Sequence, residues 1–236
     1  MISADCDTAG VYRERPAVGG VLWAVTVPAG DAGTSRILPD GSLDLIWADG
    51  TLLVAGPDTT AHLAVSAPGA RFVGLRFAPG TGPTVLGVPA CEVRDQRVPL
   101  ADLWPAARVR RYADRITGST DRPGELESLV AELLGETGPP DPLLAAVAGR
   151  LRAGHTVAGT AAAVGLSDRQ LHRRSLAGFG YGAKTLARVF RLDRALGLAR
   201  SGRAFADVAT TAGYADQAHL SREVRALTGV TLGELR

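Results

Sequence analysis

Two stretches in the C-terminal half of the chain repeat one arrangement of hydrogen-bonding side chains. Residues 161–174 read AAAVGLSDRQLHRR and residues 209–222 read ATTAGYADQAHLSR. In both, an Ala precedes a Gly by four residues and a Leu-x-Arg sequence follows. An Arg side chain can pair with guanine through two donors, a Gln can pair with adenine, and a Ser with either base. The side chains suited to this chemistry are Arg169, His172 and Arg173 in the first copy and Gln217, Ser221 and Arg222 in the second.

Two helices joined by a tight turn would present these side chains on one free face. The small Ala lets the helices approach closely, the Gly ends the first helix, a Ser or Asp caps the second, and a Leu attaches the second helix to the core. These positions are Ala161, Gly165, Ser167 and Leu171, then Ala209, Gly213, Asp216 and Leu220. Single helical hairpins of this kind also occur in bundles that bind no DNA. Two copies in phase predict two helix-turn-helix units.

The charge of the chain is divided unevenly between its halves. The net charge is +2, but residues 1–140 carry a balance of −5 and residues 141–236 a balance of +7. A basic half beside an acidic half indicates that only one part meets a polyanion. Basic helices are also often merely exposed to solvent, so the charge alone does not establish that this half binds DNA.

The N-terminal half has the composition of short strands. The candidates are 20–27, 42–56, 60–67 and 70–80, which are β-branched or aromatic and are interrupted by Gly, Pro and Asp. Asp49-Gly50 lies between apolar runs and predicts a hairpin. Strands at this spacing predict an antiparallel sandwich or barrel.

Helical periodicity begins after the strands. Residues 106–117 and 125–136 have helical spacing, and the apolar stripe of the second helix either packs on its own sheet or forms a dimer seam. The helices expected further on are 143–152, 156–164, 167–177, 183–200, 204–212, 216–227 and a short one near 231–235. TGPPDP at 137–142 breaks the helical pattern. We therefore predict an α+β two-domain protein: a β-rich sensor or dimerisation domain with flanking helices at 1–137, a linker at 138–142, and an all-α double helix-turn-helix domain at 143–236.

The C-terminal segment resembles the AraC/XylS-type transcription regulators over roughly 143–236. The resemblance rests on GLSDRQLHRR, on GYGAKTLARVFRLDRALGLAR as a joining helix, and on FADVATTAGYADQAHLSREVRALTGVT. It implies that two units are joined by one long helix. It also implies base-reading roles for Arg169, His172, Arg173, Gln217, Ala218, Ser221 and Arg222, where Ala218 can only touch a thymine methyl. The sequence departs from the family at Ser175, where a core Phe is usual, and at Ala183 and Leu232, where Pro is usual.

The N-terminal sequence resembles the small sensor-type domain of one subgroup of that family, whose ligand is unassigned. On strand alternation, Asp44 lies on the opposite face from Trp47, and Phe72 shares a face with Arg76. Arg76 near Asp44 would make a polar spot in an apolar interior, as in small-ligand pockets, or an edge-strand salt bridge. The candidate ligand-binding residues are Trp23, Asp44, Trp47 and Arg76, although tryptophans in small sheets are often simply core.

We expect no catalysis, no metal and no cofactor. The four histidines do not cluster, the two cysteines lie far apart, and no nucleophile elbow or phosphate-binding loop is present. No apolar run is long enough for a bilayer, and MISADCDTAG lacks the order of a signal peptide, so we expect a cytoplasmic protein without membrane partners.

The sequence predicts a DNA-binding transcription regulator, either activator or repressor, whose two units enter successive major grooves and whose N-terminal domain senses a small molecule. The alternative is a constitutive DNA-binding protein whose N-terminal half only dimerises or contacts another protein. The expected partners are double-stranded DNA, a small-molecule effector, a second copy of the chain and RNA polymerase.

Overall fold

The computed structural model describes residues 12–30 and 33–235. The N-terminal stretch examined above for a signal peptide lies outside them. The strands are β1 (Arg13–Ala17), β2 (Gly20–Thr26), β3 (Gly33–Ile37), β4 (Asp44–Ala48), β5 (Thr51–Ala55), β6 (His62–Ser66), β7 (Arg71–Phe77) and β8 (Arg97–Pro99). The α-helices are α1 (Gly82–Leu86), α2 (Ala106–Gly118), α3 (Arg122–Thr137), α4 (Pro142–Arg152), α5 (Val157–Ala163), α6 (Asp168–Phe179), α7 (Ala183–Arg200), α8 (Phe205–Ala212) and α9 (Gln217–Thr228), and short 3-10 turns cover Ala90–Glu92 and Leu100–Asp102.

Six strands form one open antiparallel sheet in the order β1-β2-β7-β4-β5-β8. The predicted Asp49-Gly50 hairpin joins β4 to β5, and both residues have the positive φ angles, 43° and 90°, that such a turn needs. One face of the sheet packs on α2 and α3. The apolar stripe of α3 is buried there at Leu126, Leu129 and Leu133, so it is core and not a dimer seam.

The other face of the six-stranded sheet is covered by a two-stranded ribbon made of β3 and β6. Side chains of the ribbon and of the sheet line one cavity between them. Neither sheet closes on itself in the described residues, so the domain is a sandwich with flanking helices and not a closed barrel.

The C-terminal helices form two apolar cores that share α7. Its first half contributes Leu186 and Phe190 to a core with α4, α5 and α6, and its second half contributes Leu192 and Leu196 to a core with α8 and α9. The helices predicted from the sequence are present within two residues of their expected ends, with two exceptions: α3 begins three residues before the expected start at 125, and 231–235 forms hydrogen-bonded turns and no helix. Strands β1, β3 and β8 and helix α1 were not predicted.

The N-terminal domain contacts both cores of the helical part. At the ribbon, the backbone N–H of Ala61 donates to the carbonyl of Leu227 (2.7 Å), and Arg36 Nη1 donates to the carbonyl of Thr228 (2.7 Å). At the other end of the interface, Arg94 Nη1 donates to the carbonyl of Gly180 at the end of α6 (3.2 Å). The domain therefore touches the C-terminal ends of α6 and α9.

Within residues 12–30 and 33–235, no helix combines the length and the apolar character needed to cross a lipid bilayer.

Candidate nucleic-acid interface and ligand cavity

The first helix-turn-helix unit consists of α5 and α6 joined by a tight turn. Gly165 adopts a φ of 69°, and the N–H of Leu166 donates to the carbonyl of Ala161 (2.9 Å), which closes the end of α5. Ser167 caps α6, and the Gln170 side chain bonds back to the Ser167 N–H in a capping box. These bonds fix the angle at which α6 leaves the turn.

The second unit, α8 and α9, repeats this geometry. Gly213 has a φ of 87°, and the N–H of Tyr214 donates to the carbonyl of Ala209 (2.8 Å). Asp216 caps α9 by accepting the N–H of His219 (2.6 Å). The capping and turn roles predicted from the sequence are thus confirmed in both units.

Each second helix is attached to its core by one leucine. Leu171 on α6 and Leu220 on α9 are both 1% exposed. The candidate base-reading side chains lie on the remaining faces, and all of them are exposed: Arg169, His172, Arg173, Gln217, Ala218, Ser221 and Arg222. They stay accessible while the N-terminal domain is docked.

An ion pair locks the second unit to α7. Arg188 on α7 donates to both carboxylate oxygens of Glu223 on α9, at 2.8 and 3.1 Å. The hydrogen bond from Arg188 holds the pKa of the Glu223 carboxyl below its usual value. The Arg191 guanidinium also lies 5.4 Å from the ring centroid of Tyr214. These contacts resist rotation of α9 relative to α7.

A groove between the two units carries positive charge that sequence reasoning did not single out. Its lining includes the cations Lys184 and Arg191 and the imidazoles of His155 and His219. The groove runs along α7 between the two units, where side chains of this kind suit contact with phosphate rather than with bases. The sequence offers little indication of this groove, because its residues are scattered and Lys184, the one lysine of the chain, forms no basic cluster in the sequence.

The core of the first unit contains buried side-chain hydroxyls. Ser175 and Thr160 are fully buried, and the hydroxyl oxygen of each lacks a hydrogen-bond partner among the described residues. Phe179, one turn further on, is also fully buried in this core. The small polar residue at 175 therefore occupies a core site, as expected from the sequence.

We expect Ser175→Ala to raise the free energy of unfolding by about 1 kcal/mol, because it removes a buried hydroxyl that has no partner. Urea unfolding followed by circular dichroism measures the change. Ser128→Ala, on the exposed face of α3, makes the same replacement and should change stability by less than about 0.5 kcal/mol. A clear loss of stability in Ser175→Ala would contradict the expectation.

The cavity between the sheet and the ribbon has a volume of about 240 Å³. Most of its lining is apolar or aromatic, and its charged side chains gather in two groups. In one group, Arg97 donates to both oxygens of Asp58 at 2.9 and 2.7 Å. Beside this pair, burial and the charge of Arg97 lower the pKa of His62, which disfavours the charged form of its imidazole.

The second group joins three of the residues named from the sequence and adds Asp40. Trp23 Nε1 donates to Asp44 Oδ1 at 2.6 Å. Arg76 Nε lies 3.6 Å from the same oxygen and 2.9 Å from Asp40 Oδ2. The Arg76 N–H does not point at Asp40, so this is an ion pair without a hydrogen bond, and Nε has no hydrogen-bond partner among the described residues. Burial raises the pKa of the Asp44 carboxyl, and Arg76 opposes that rise.

Trp47 does not belong to this cavity. It lies on the helix-covered face of the sheet, is 4% exposed, and donates from Nε1 to Thr117 Oγ1 on α2 at 3.1 Å. The alternation along β4 places it opposite Asp44. Its inclusion among the ligand-binding candidates was therefore an error, and the reading of Trp47 as core is the correct one.

Family models match both parts of the chain. Residues 160–236 match a helix-turn-helix domain, and residues 20–99 match a domain of unknown function (DUF6597). The C-terminal match confirms the AraC-type resemblance stated from the sequence. A search of curated proteins gives no match.

Among solved structures, the chain is similar to the ToxT protein of Vibrio cholerae. A ToxT structure from strain O395 is 10% identical, with 95% of this chain and 96% of that chain covered and a TM-score of 0.48. A structure of wild-type ToxT from strain SCE256 with a bound unsaturated fatty acid is 10% identical, with 98% and 96% covered and a TM-score of 0.44.

Proposed function

We propose that this chain, a DNA-binding regulator with an AraC-type helix-turn-helix domain, reads two successive major grooves with its two units and responds to a small molecule in its N-terminal cavity. The observation that carries the proposal is the pair of capped helices α6 and α9, which share α7 and both expose base-reading side chains. The residues proposed to contact bases are Arg169, His172, Arg173, Gln217, Ala218, Ser221 and Arg222.

Control by a ligand is supported by the position of the ribbon. Strands β3 and β6 form one wall of the cavity, and the same ribbon hydrogen-bonds to the carbonyls of Leu227 and Thr228 at the end of α9. A ligand that changes the spacing between sheet and ribbon therefore also acts on the second unit. A ligand could also affect the C-terminal helices through Asp40 and Arg76. These two residues line a second cleft, which is bounded by Arg152 and Asp193 of those helices.

The test of the proposal is binding of the full chain to the DNA beside its own gene and to a scrambled sequence of equal length, across a series of salt concentrations. We expect tighter binding to the native fragment that survives moderate salt, because base contacts depend less on counterion release than phosphate contacts do. Equal affinity for both DNAs with a steep dependence on salt would contradict sequence-specific reading at this site.

We expect Arg36→Ala to weaken the response of DNA affinity to a ligand without weakening ligand binding, because Arg36 joins the ribbon to α9 and does not line the cavity. A ligand found by thermal shift at 100 times its dissociation constant adds about 2.7 kcal/mol of stability. This stabilisation should be retained in Arg36→Ala. Arg71→Ala, an exposed arginine of the same domain, serves as the matched control. A full response in Arg36→Ala would exclude this route.

One observation favours the alternative, in which the N-terminal domain only supplies a contact surface. Leu63 and Val65 on the outer face of the ribbon are 53% and 78% exposed. Side chains of this size in water are candidates for a protein contact. If no compound alters stability or DNA affinity, while Leu63→Ser and Val65→Ser change the oligomeric state, the contact role is supported instead.

A further inference from the structure

We infer that the cavity binds an organic cation, specifically a small arylalkyl amine, whose ammonium group faces Asp44. The inference rests on the proposed control by a small molecule and names the class of that molecule. It follows from the charge of the lining, the geometry of one carboxylate and the shape of the apolar walls.

The charges that line the cavity do not balance. They are three carboxylates, of Asp40, Asp44 and Asp58, and two guanidinium groups, of Arg76 and Arg97. Arg97 and Asp58 satisfy each other through two hydrogen bonds. Arg76 is then left with two carboxylates, so this end of the cavity has one negative charge in excess. An excess charge in an apolar interior is costly, and a ligand of opposite charge relieves that cost.

Asp44 is held as an acceptor with one oxygen unused. Its Oδ1 accepts the Trp23 indole N–H and faces Arg76, and both contacts oppose the rise in the pKa of Asp44 that burial causes. Its Oδ2 accepts no hydrogen bond from any described residue, and the side chain lines the cavity. An ammonium N–H is a suitable donor for that oxygen.

An anion fits the same place poorly. Arg76 is the group that would attract it, but an anion beside Arg76 would also approach the carboxylates of Asp40 and Asp44, both within 4 Å of Arg76 Nε. Repulsion from two carboxylates outweighs attraction to one guanidinium at similar distances. The geometry therefore discriminates by the sign of the ligand's charge.

The walls suit a flat apolar body. Phe72, Trp23 and Tyr12 contribute aromatic surface, and the Tyr12 and Trp23 rings stack with centroids 6.3 Å apart. A volume of 240 Å³ equals about eight water molecules at about 30 Å³ each, which is roughly the space of a bicyclic amine. Aromatic walls also attract cations through their ring faces.

The test uses three naphthalene derivatives that carry an aminomethyl, a hydroxymethyl or a carboxylate group at the same ring position. Calorimetry with the full-length protein at pH 7 measures each affinity. We expect the amine to bind at least about tenfold more tightly than the alcohol, a difference of about 1.4 kcal/mol, and the carboxylate to bind most weakly. Equal affinities, a preference for the carboxylate, or binding of none of the three would overturn the inference.

A variant tests whether Asp44 causes the preference for the amine over the alcohol. Asp44→Asn retains an acceptor for Trp23 but removes the charge, and it should reduce the amine to the affinity of the alcohol. Asp114→Asn, an exposed position on α2, makes the same change away from the cavity and should preserve the preference. The wild-type series decides the question even if Asp44→Asn does not fold. Specific DNA binding is measured separately. If the ligand class is wrong, the proposed function as a DNA-binding regulator is therefore not contradicted.

Discussion

Arg173→Ala and Arg222→Ala should each weaken binding to the specific DNA site by about 10- to 100-fold, or roughly 1–3 kcal/mol. Both side chains are exposed on the free faces of α6 and α9, where a guanidinium can donate two hydrogen bonds to a guanine. Binding to scrambled DNA should change much less, because that binding depends on phosphate contacts. Fluorescence anisotropy with both DNAs measures the two effects in parallel.

The matched control is Arg110→Ala, which removes the same charge from an exposed position on α2 in the N-terminal domain. It should leave specific binding unchanged. If Arg173→Ala, Arg222→Ala and Arg110→Ala weaken specific and nonspecific binding equally, the arginines act only through net charge. If Arg222→Ala alone has an effect, Arg173 does not read a base.

The helical half was predictable because its signals are local. Gly165, Ser167, Gly213 and Asp216 determine turns and caps within a few residues of themselves, and the structure places each in its expected role. The expected helix at 231–235 is wrong: the Thr231 N–H donates to the Glu234 carboxylate, as at the start of a helix, but the backbone hydrogen bonds that follow are those of turns.

The strands were harder to predict because pairing is not local. The sequence of β1, RERPA, is mostly exposed, and that of β3, GTSRI, has no apolar alternation. Their partners, Gly20–Thr26 and His62–Ser66, determine that they are strands. The residue pattern of one strand does not identify the strand that pairs with it.

The cavity was predictable only in part for the same reason. Alternation along β4 and β7 correctly places Asp44 and Arg76 on one face, and the two are direct partners in the sheet. Asp40, Asp58 and Arg97 come from a loop before β4, a loop after β5 and the edge strand β8, so they are far apart in the sequence and line the same cavity only in the folded domain. The charge balance that indicates a cationic ligand depends on these residues.

Moving the two half-sites of the DNA apart by about five base pairs should reduce affinity by about 100-fold or more, to that of one unit alone. This insertion turns the second half-site to the opposite side of the duplex. The protein cannot follow, because α7 is one continuous helix of 18 residues, about 27 Å long, whose side chains belong to both cores. The Arg188–Glu223 ion pair further fixes α9 to it.

An insertion of about ten base pairs distinguishes a rigid connection between the two helix-turn-helix units from a flexible one. It returns the second half-site to the original side of the duplex but moves it one turn further away. A flexible connection between the units would recover most of the affinity, whereas the continuous α7 should recover none. Gel-shift titrations measure the affinity for the original site and for the sites with five and ten inserted base pairs. The variant Glu223→Gln removes the negative charge from the ion pair. It should make the affinity less sensitive to a one-base-pair change in the spacing of the half-sites. Unchanged affinity for the five-base-pair insertion would mean that only one unit contacts the DNA.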